Sequence, residues 1–132
     1  MEHLAGLDLD ATGSRRERIL ASMAAVERYE RSLFASLLAG LEEMEHVTTY
    51  GRAVRRAPTA YFNVEELTPL EVAEHLARRR VNVWSGDNYA WELAGVLKVR
   101  DSGGAVRAGL VHYNDESDVD RLLEALAELR TA

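Results

Sequence analysis

The sequence lacks cysteine altogether and contains only two prolines and a single lysine. Without cysteine the chain can form no disulfide, no thiolate metal site and no cysteine nucleophile. It also lacks any apolar run close to the roughly 20 residues that span a bilayer. Its first residues do not have the basic and then apolar layout of a secretory signal. We therefore expect a cytoplasmic protein that has no membrane partner.

The net charge and the length of the chain exclude further classes of protein. The formal net charge is −6, from 22 acidic against 16 basic side chains, and this balance disfavours binding to the phosphates of nucleic acid. At 132 residues the chain is large enough for one core but too short for a two-domain enzyme. We predict a loose leader over residues 1–13 and a single folded domain over residues 14–132.

Three stretches predict amphipathic helices. Ser14, Thr68 and Asp115 each stand at an N-cap position with an acidic residue three positions later, which is the capping-box pattern. The apolar residues that follow each cap recur mostly at intervals of three or four. The pattern predicts a long helix from Ser14 to about Glu42, a second helix from Thr68 and a third from Asp115 to the C-terminus. A shorter helix is predicted over residues 89–97.

Four short segments rich in β-branched, aromatic and small apolar residues predict strands between these helices. They are His46–Tyr50, Thr59–Val64, Val81–Trp84 and Ala105–His112. Short strands combined with amphipathic helices are typical of an α+β fold. The predicted architecture is a two-layer sandwich in which helices cover a small four-stranded sheet, with a long N-terminal helix.

One charged residue, Arg107, interrupts the last predicted strand. An arginine is costly to bury unless a carboxylate or a phosphate pairs with it. Two interpretations follow. Arg107 binds an anionic ligand, or it forms a structural ion pair with a nearby glutamate.

A second unusual feature is a glycine-bearing turn that is crowded with aromatic residues. The stretch runs from Trp84 to Trp91, and between the two tryptophans it contains Ser85, Gly86, Asp87, Asn88, Tyr89 and Ala90. Clusters of this composition mark turns. The stretch is either a functional loop or an ordinary strand-to-helix connection whose tryptophans belong to the core.

No metal site is predicted, because no two histidines stand three or four residues apart and no cysteine could assist them. The histidines are His3, His46, His75 and His112. The glycine-rich patterns that bind phosphates and the usual serine-nucleophile patterns are absent as well. Established short motifs therefore do not assign a chemistry to this chain.

At the Arg107 strand and the aromatic turn the sequence resembles the C-terminal domain of cysteine desulfurase-like proteins. These form a branch of the class V aminotransferase family of fold-type-I pyridoxal-phosphate enzymes. The longest matching pattern is Gly103–Asn114 followed by Val119–Leu126, and the shorter matches before it are Ser14–Arg18, Arg56–Thr59, Thr68–Ala73 and Val83–Gly86. The likeness runs from about residue 3 to residue 130, which is nearly the whole chain.

The resemblance implies roles for particular residues. Arg107 would bind the α-carboxylate of an amino-acid substrate, residues 84–89 would form an active-site loop, and His112, Tyr113 and Asn114 would form a supporting turn. Tyr89 stands where true desulfurases carry their catalytic cysteine. The resemblance therefore argues against desulfurase chemistry by the usual persulfide route and leaves the lyase and transferase reactions of these enzymes open.

The resemblance also implies what this chain does not supply. The family's cofactor lysine and phosphate site lie in a large domain upstream, and Lys98 matches no family motif. We expect pyridoxal phosphate in the complete enzyme, no cofactor on this chain alone and no catalytic residue within it. The expected partner is the large domain, either upstream in the same gene or on a separate chain. Exposed apolar residues on the first long helix could also pair two copies as a homodimer.

Two other functions remain open on the sequence. One is a free-standing binding or scaffold domain that retains the fold without catalysis. The other is a small-ligand sensor that uses Arg107 to bind the carboxylate of an amino acid.

Overall fold

The computed structural model describes residues 2–131, and the predicted α+β architecture is confirmed. A four-stranded antiparallel sheet is combined with helices, of which the second is the long N-terminal helix. In chain order the elements are α1 (Glu2–Ala5), α2 (Arg15–Glu42), β1 (Val47–Tyr50), β2 (Thr59–Val64), α3 (Pro69–Arg78), β3 (Trp84–Gly86), α4 (Trp91–Val96), β4 (Ala105–Gly109) and α5 (Glu116–Ala127), with a final 3-10 turn over Glu128–Thr131.

The sheet has the strand order β1-β2-β4-β3, and every neighbouring pair is antiparallel. Alternate residues of the central strands β2 and β4 point into the core, and Phe62 lies opposite Val106 with both fully buried. Side chains of α2, α3 and α5 complete this core. We call this side of the sheet the core face and the opposite side the open face.

The helix caps form as the sequence predicts. Ser14, Thr68 and Asp115 each accept a hydrogen bond from the backbone N–H three residues later, and the acidic side chain at that later position accepts one from the cap's own N–H. These reciprocal bonds satisfy amides that a helix leaves without internal partners. The three long helices therefore begin where their caps place them.

The first half of α2 is largely exposed to solvent. Of its first 18 residues, which end at Ser32, only Ser22 is buried. The chain before α2 lies against this half, because Ala5 is buried and the N–H of Asp8 donates to the Ser22 hydroxyl at 3.0 Å. Part of the segment predicted as a loose leader is thus a short helix packed on α2, while the domain division itself stays a prediction.

Several predicted boundaries were wrong, and three of them concern the strands and the helix around the candidate site. The ladder of β3 begins at Trp84 and not at Val81, because only residues 84–86 lie opposite β4, whereas Val81 and Val83 pack against the core without pairing. β4 ends at Gly109 instead of His112. Helix α4 begins at Trp91, since the two residues before Ala90 have a positive φ that a right-handed helix does not allow.

Within residues 2–131, no helix combines the length and the apolar character that crossing a bilayer requires.

Candidate functional site

Arg107 lies at the centre of β4, and its side chain projects from the open face of the sheet. Its direct neighbours are Tyr61 on β2 and Trp84 on β3. The residues on either side of it, Val106 and Ala108, point the other way and are buried. The apolar sequence around Arg107 therefore belongs to the core, while the guanidinium itself is exposed.

Among the described residues Arg107 makes no hydrogen bond and no ion pair, so the alternative of a structural pair with a glutamate was wrong. Two other arginines show the contrast. Arg56 donates to the Gly51 carbonyl at 2.6 Å and lies over the Phe34 ring. Arg100 donates to the Trp91 carbonyl at 2.7 Å and lies over that residue's ring. These two arginines are structural, whereas Arg107 is available to a ligand.

The electrostatic setting of Arg107 favours an anion. The chain contains 22 acidic residues, yet within residues 2–131 none of them lies in the four strands, where Arg107 is the only charged residue. A guanidinium with no local carboxylate keeps its donors for an external one. A protein of net charge −6 thus carries on its open face an exposed guanidinium that has no ion-pair partner among residues 2–131.

Aromatic side chains line the open face on both sides of this centre. Tyr50, Tyr61, Arg107 and Trp84 lie directly opposite one another across the four strands, and we call this set the open-face row. The rings of Tyr50 and Tyr61 are 5.9 Å apart. Partial burial, and secondarily the neighbouring Tyr61, raises the pKa of Tyr50 above its ordinary value. The raised pKa extends the range over which the Tyr50 phenol is neutral further into alkaline pH.

The loop after β3 holds Tyr89 out in solvent. Asn88 and Tyr89 have φ angles of 54° and 61°, a left-handed conformation that is uncommon for side-chain-bearing residues. The Asn88 amide donates to the carbonyls of Gly86 and Ala105, and the Tyr89 N–H donates to the Asp87 carboxylate at 3.0 Å. These bonds hold a backbone that would otherwise relax. Tyr89 is 98% exposed as a result.

The stretch does connect strand β3 to helix α4, but its tryptophans are not core residues, so the expectation that they belong to the core was wrong. Trp84 is 63% exposed and Trp91 is 55% exposed. The loop is fastened to the sheet by close backbone packing at Gly104, where any Cβ atom would collide with the Gly86 carbonyl group. Gly104 also accepts a hydrogen bond from the Asn63 amide at 3.1 Å. Only glycine permits this approach.

The turn after β4 is organised by Asn114. Its side chain accepts from the Val111 N–H at 3.0 Å and donates to Asp118 in the first turn of α5, also at 3.0 Å. The Tyr29 hydroxyl of α2 donates to the Asn114 carbonyl at 2.7 Å. Sequence reasoning missed this contact, because 85 residues separate its partners and no local pattern marks them.

His112 and Tyr113 lie on the same turn between β4 and α5. The His112 ring lies 6.2 Å from that of His3 on α1 and 5.5 Å from that of Tyr113. Tyr113 is 78% exposed. The turn thus brings the predicted supporting residues together at one end of β4, and it presents one aromatic side chain to solvent.

Tests for a cofactor or metal site are negative within the described residues. Lys98, the one lysine of the chain, is an exposed residue just after α4, and no phosphate-binding backbone pattern adjoins it. A pyridoxal-phosphate lysine needs an enclosed, oriented site. Over residues 2–131, no three histidine or acidic side chains converge as metal ligands. The residues present therefore do not fit the cofactor by themselves.

Comparison with known families decides the assignment. The family model described as aminotransferase class-V matches residues 18–122, which is most of the chain. The chain belongs to the aminotransferase class-V family. The Arg107 strand and most of α5 fall within the matched range, as does the loop that carries Tyr89.

Individual relatives are similar over the same region. An uncharacterised protein of Mycobacterium tuberculosis (strain CDC 1551 / Oshkosh) is 36% identical over 98% of this chain and 32% of its own length. A probable cysteine desulfurase of Halalkalibacterium halodurans is 31% identical over 80% of this chain and 25% of its own length. The solved apo cysteine desulfurase of Thermococcus onnurineus NA1 superposes with a TM-score of 0.74, at 32% identity, over 87% of this chain and 28% of that one.

The chain thus spans about a third or less of the length of these relatives.

Proposed function

We propose that this chain is the C-terminal small domain of a pyridoxal-phosphate-dependent, cysteine desulfurase-like enzyme that acts on an amino acid. The observation that carries the proposal is Arg107, an unpaired guanidinium at the centre of an open sheet face. The family membership of the chain and its coverage of about a third of its relatives support the same conclusion.

In this proposal Arg107 binds the α-carboxylate of the substrate. A guanidinium presents two parallel N–H donors that match the two oxygens of a carboxylate. Docking of a large domain over the open face would remove water from the pair and strengthen it. The role of Arg107 is to hold the substrate in one orientation and not to break a bond.

The loop over residues 84–89 forms one wall of the proposed site. It begins at Trp84, the β3 neighbour of Arg107, and its bracing at Asn88 fixes the direction in which Tyr89 projects. A phenol at this position cannot form a persulfide as a thiolate would. The proposed reaction is therefore of the lyase or transferase type. The turn of His112, Tyr113 and Asn114 supports the end of the Arg107 strand.

The cofactor and its lysine would come from a large domain, either upstream of this chain in the same protein or on a partner chain. Pyridoxal phosphate supplies an electron sink for carbanions formed at the substrate. The contribution of this chain is to bind and orient the substrate carboxylate and to shield it from water.

The test is reconstitution. Pyridoxal phosphate is added to this chain alone and to this chain together with the large domain, and absorbance is followed between about 330 and 430 nm with borohydride trapping. We expect a shifted, trappable band only when the large domain is present. A band formed by this chain alone at Lys98 would contradict the proposal, and no band in either sample would favour a free-standing domain.

A kinetic test addresses Arg107 in the reconstituted enzyme. Arg107→Gln should lower kcat/KM for the amino acid by roughly tenfold to a hundredfold, mainly through KM, because it removes a charge-assisted bidentate pair. Arg121→Gln is the matched control, since Arg121 is exposed on α5 and pairs with Asp118. Equal kinetic effects of the two substitutions would contradict the assigned role.

A further inference from the structure

The carboxylate contact with Arg107 is common to all amino acids, so it does not select one substrate. The side chains around Arg107 can indicate which substrate side chain fits. Its neighbours on the open face are Tyr61 and Trp84, with Tyr50 beyond Tyr61 on the edge strand. None of these side chains is charged, and no strand in the described part of the chain contains an acidic residue. A ligand bound to Arg107 therefore contacts the guanidinium with its anionic group. The rest of the ligand faces the aromatic side chains of the open-face row.

The geometry points to a substrate whose side chain is aromatic or large and apolar, with Tyr61 and Trp84 as the residues that select it. This inference rests on the proposed function and adds the substrate class. Paired residues on adjacent antiparallel strands have Cβ atoms about 4.5–5.5 Å apart, so both rings lie within reach of a group bound at Arg107. A small or charged side chain would find no matching partner on this face.

Tyr61 is held in place for this role. Its hydroxyl donates to the Gly86 carbonyl at 3.4 Å, and Gly86 lies on β3, beyond β4. The ring must therefore cross β4 beside Arg107, over Ala105, which lies on the open face yet is fully buried. A ring restrained by this contact loses less freedom when a ligand binds than an unrestrained side chain would.

Trp84 provides the second wall. It is opposite Arg107 on the edge strand β3, and 63% of its surface is exposed. Arg107 is not stacked on the indole, in contrast to Arg100, whose guanidinium lies 4.2 Å from the Trp91 ring centroid. The indole of Trp84 is thus free to pack against a ligand, whereas that of Trp91 is already engaged.

The test is an NMR titration of this chain, isotope-labelled and assembled with the unlabelled large domain, with L-phenylalanine, L-alanine and phenylethylamine, the last of which lacks the carboxylate. L-phenylalanine should bind about threefold to tenfold more tightly than L-alanine, since one aromatic contact has that effect. Phenylethylamine should not bind. Of the two indole N–H signals, only that of Trp84 should move, so Trp91 serves as an internal reference.

Three variants distinguish the contacts that Tyr61 and Trp84 make with the substrate side chain from the binding of its carboxylate by Arg107. Tyr61→Leu and Trp84→Leu should each reduce the preference for L-phenylalanine to about twofold or less while L-alanine still binds. Trp91→Leu, a similarly exposed tryptophan outside the row, should keep the full preference. Circular dichroism confirms that each variant is folded.

The outcomes distinguish this inference from the proposed function. Equal binding of L-alanine and L-phenylalanine would overturn the substrate class and leave the anchor role of Arg107 intact. The substrate class is likewise overturned if Trp91→Leu loses the preference as fully as Trp84→Leu does. If neither amino acid binds up to about 50 mM even in the presence of the large domain, which would remove water from the pair, the anchor role itself fails.

Discussion

The two faces of one small sheet have opposite requirements, although their residues alternate along the same strands. On the core face Phe62 and Val106 are fully buried within the apolar core. On the open face the adjacent residues Tyr61 and Arg107 are partly or largely exposed. Residues of the core face must be apolar and must fill the interior. Residues of the open face are free to present a charge and aromatic rings to a ligand. Substitutions on the two faces should therefore change different measurable properties.

The largest effect on stability is expected for Phe62→Ala. Phe62 lies on β2, and its side chain is fully buried in the core. Its truncation should lower the free energy of unfolding by about 3–5 kcal/mol. Urea denaturation measures the change. The matched open-face substitution Tyr61→Ala should cost clearly less, because that side chain is only half-buried. Equal losses would show that the two faces do not differ as described.

A smaller loss, about 1 kcal/mol, is expected for Thr68→Ala at the start of α3. The substitution removes the side-chain acceptor for the Glu71 N–H and the donor to the Glu71 carboxylate. Helix α3 covers the core face, so the loss should appear in the same urea transition. Thr12→Ala, at an exposed position with no cap, is the control, and a comparable loss there would remove the cap as the explanation.

Acid should weaken the helices on the core face. Hydrogen bonds from the Thr68 hydroxyl, and then from its N–H, hold the pKa of Glu71 below its ordinary value of 4.5. The Ser117 hydroxyl is the main cause of the lowered pKa of Asp115. Near pH 4 the unfolded chain then binds more protons than the folded chain, so stability rises with pH and is lost as pH falls below about 4.5.

The urea midpoint between pH 3 and pH 6 measures this dependence. Glu71→Gln should flatten the acid limb, because the glutamine cannot take up the proton that destabilises the folded state. An acid limb unchanged by this substitution would exclude the α3 cap as its source.

The smallest effect on stability is expected at the centre of the open face. Arg107→Gln should change the free energy of unfolding by less than about 0.5 kcal/mol, since Arg107 is exposed and has no partner in the described part of the chain. Arg121→Gln provides the reference for an ordinary surface arginine. A loss of more than about 1 kcal/mol at Arg107 alone would make it a structural residue.

The core face could be predicted from the sequence, and the open face only in part. Hydrophobic spacing and capping boxes are local signals, and they placed α2, α3, α5 and the two central strands within a few residues. The position of β3 could not be read locally, because Val81 and Val83 have the alternation of a strand but pack on the core without pairing. Pairing depends on which residues lie opposite β4, a long-range property.

The candidate site likewise combines features that could be predicted from the sequence with features that only the fold reveals. Arg107 stands out in the sequence because a charge in an apolar strand is conspicuous, yet only the three-dimensional structure shows that it has no ion-pair partner among residues 2–131. The open-face row is invisible in the sequence, since its members come from four separate strands. The Tyr29 contact with Asn114 likewise joins residues that only the fold brings together.

The most direct test of the central claim follows the side-chain Nε–H signals of Arg107 and Arg100 while L-alanine is added to this chain assembled with the large domain. We predict that the Arg107 signal shifts with saturation, that the Arg100 signal stays in place and that Arg107→Gln abolishes binding without unfolding the chain. An unmoved Arg107 signal, or unchanged affinity in Arg107→Gln, would contradict its assignment as the carboxylate anchor.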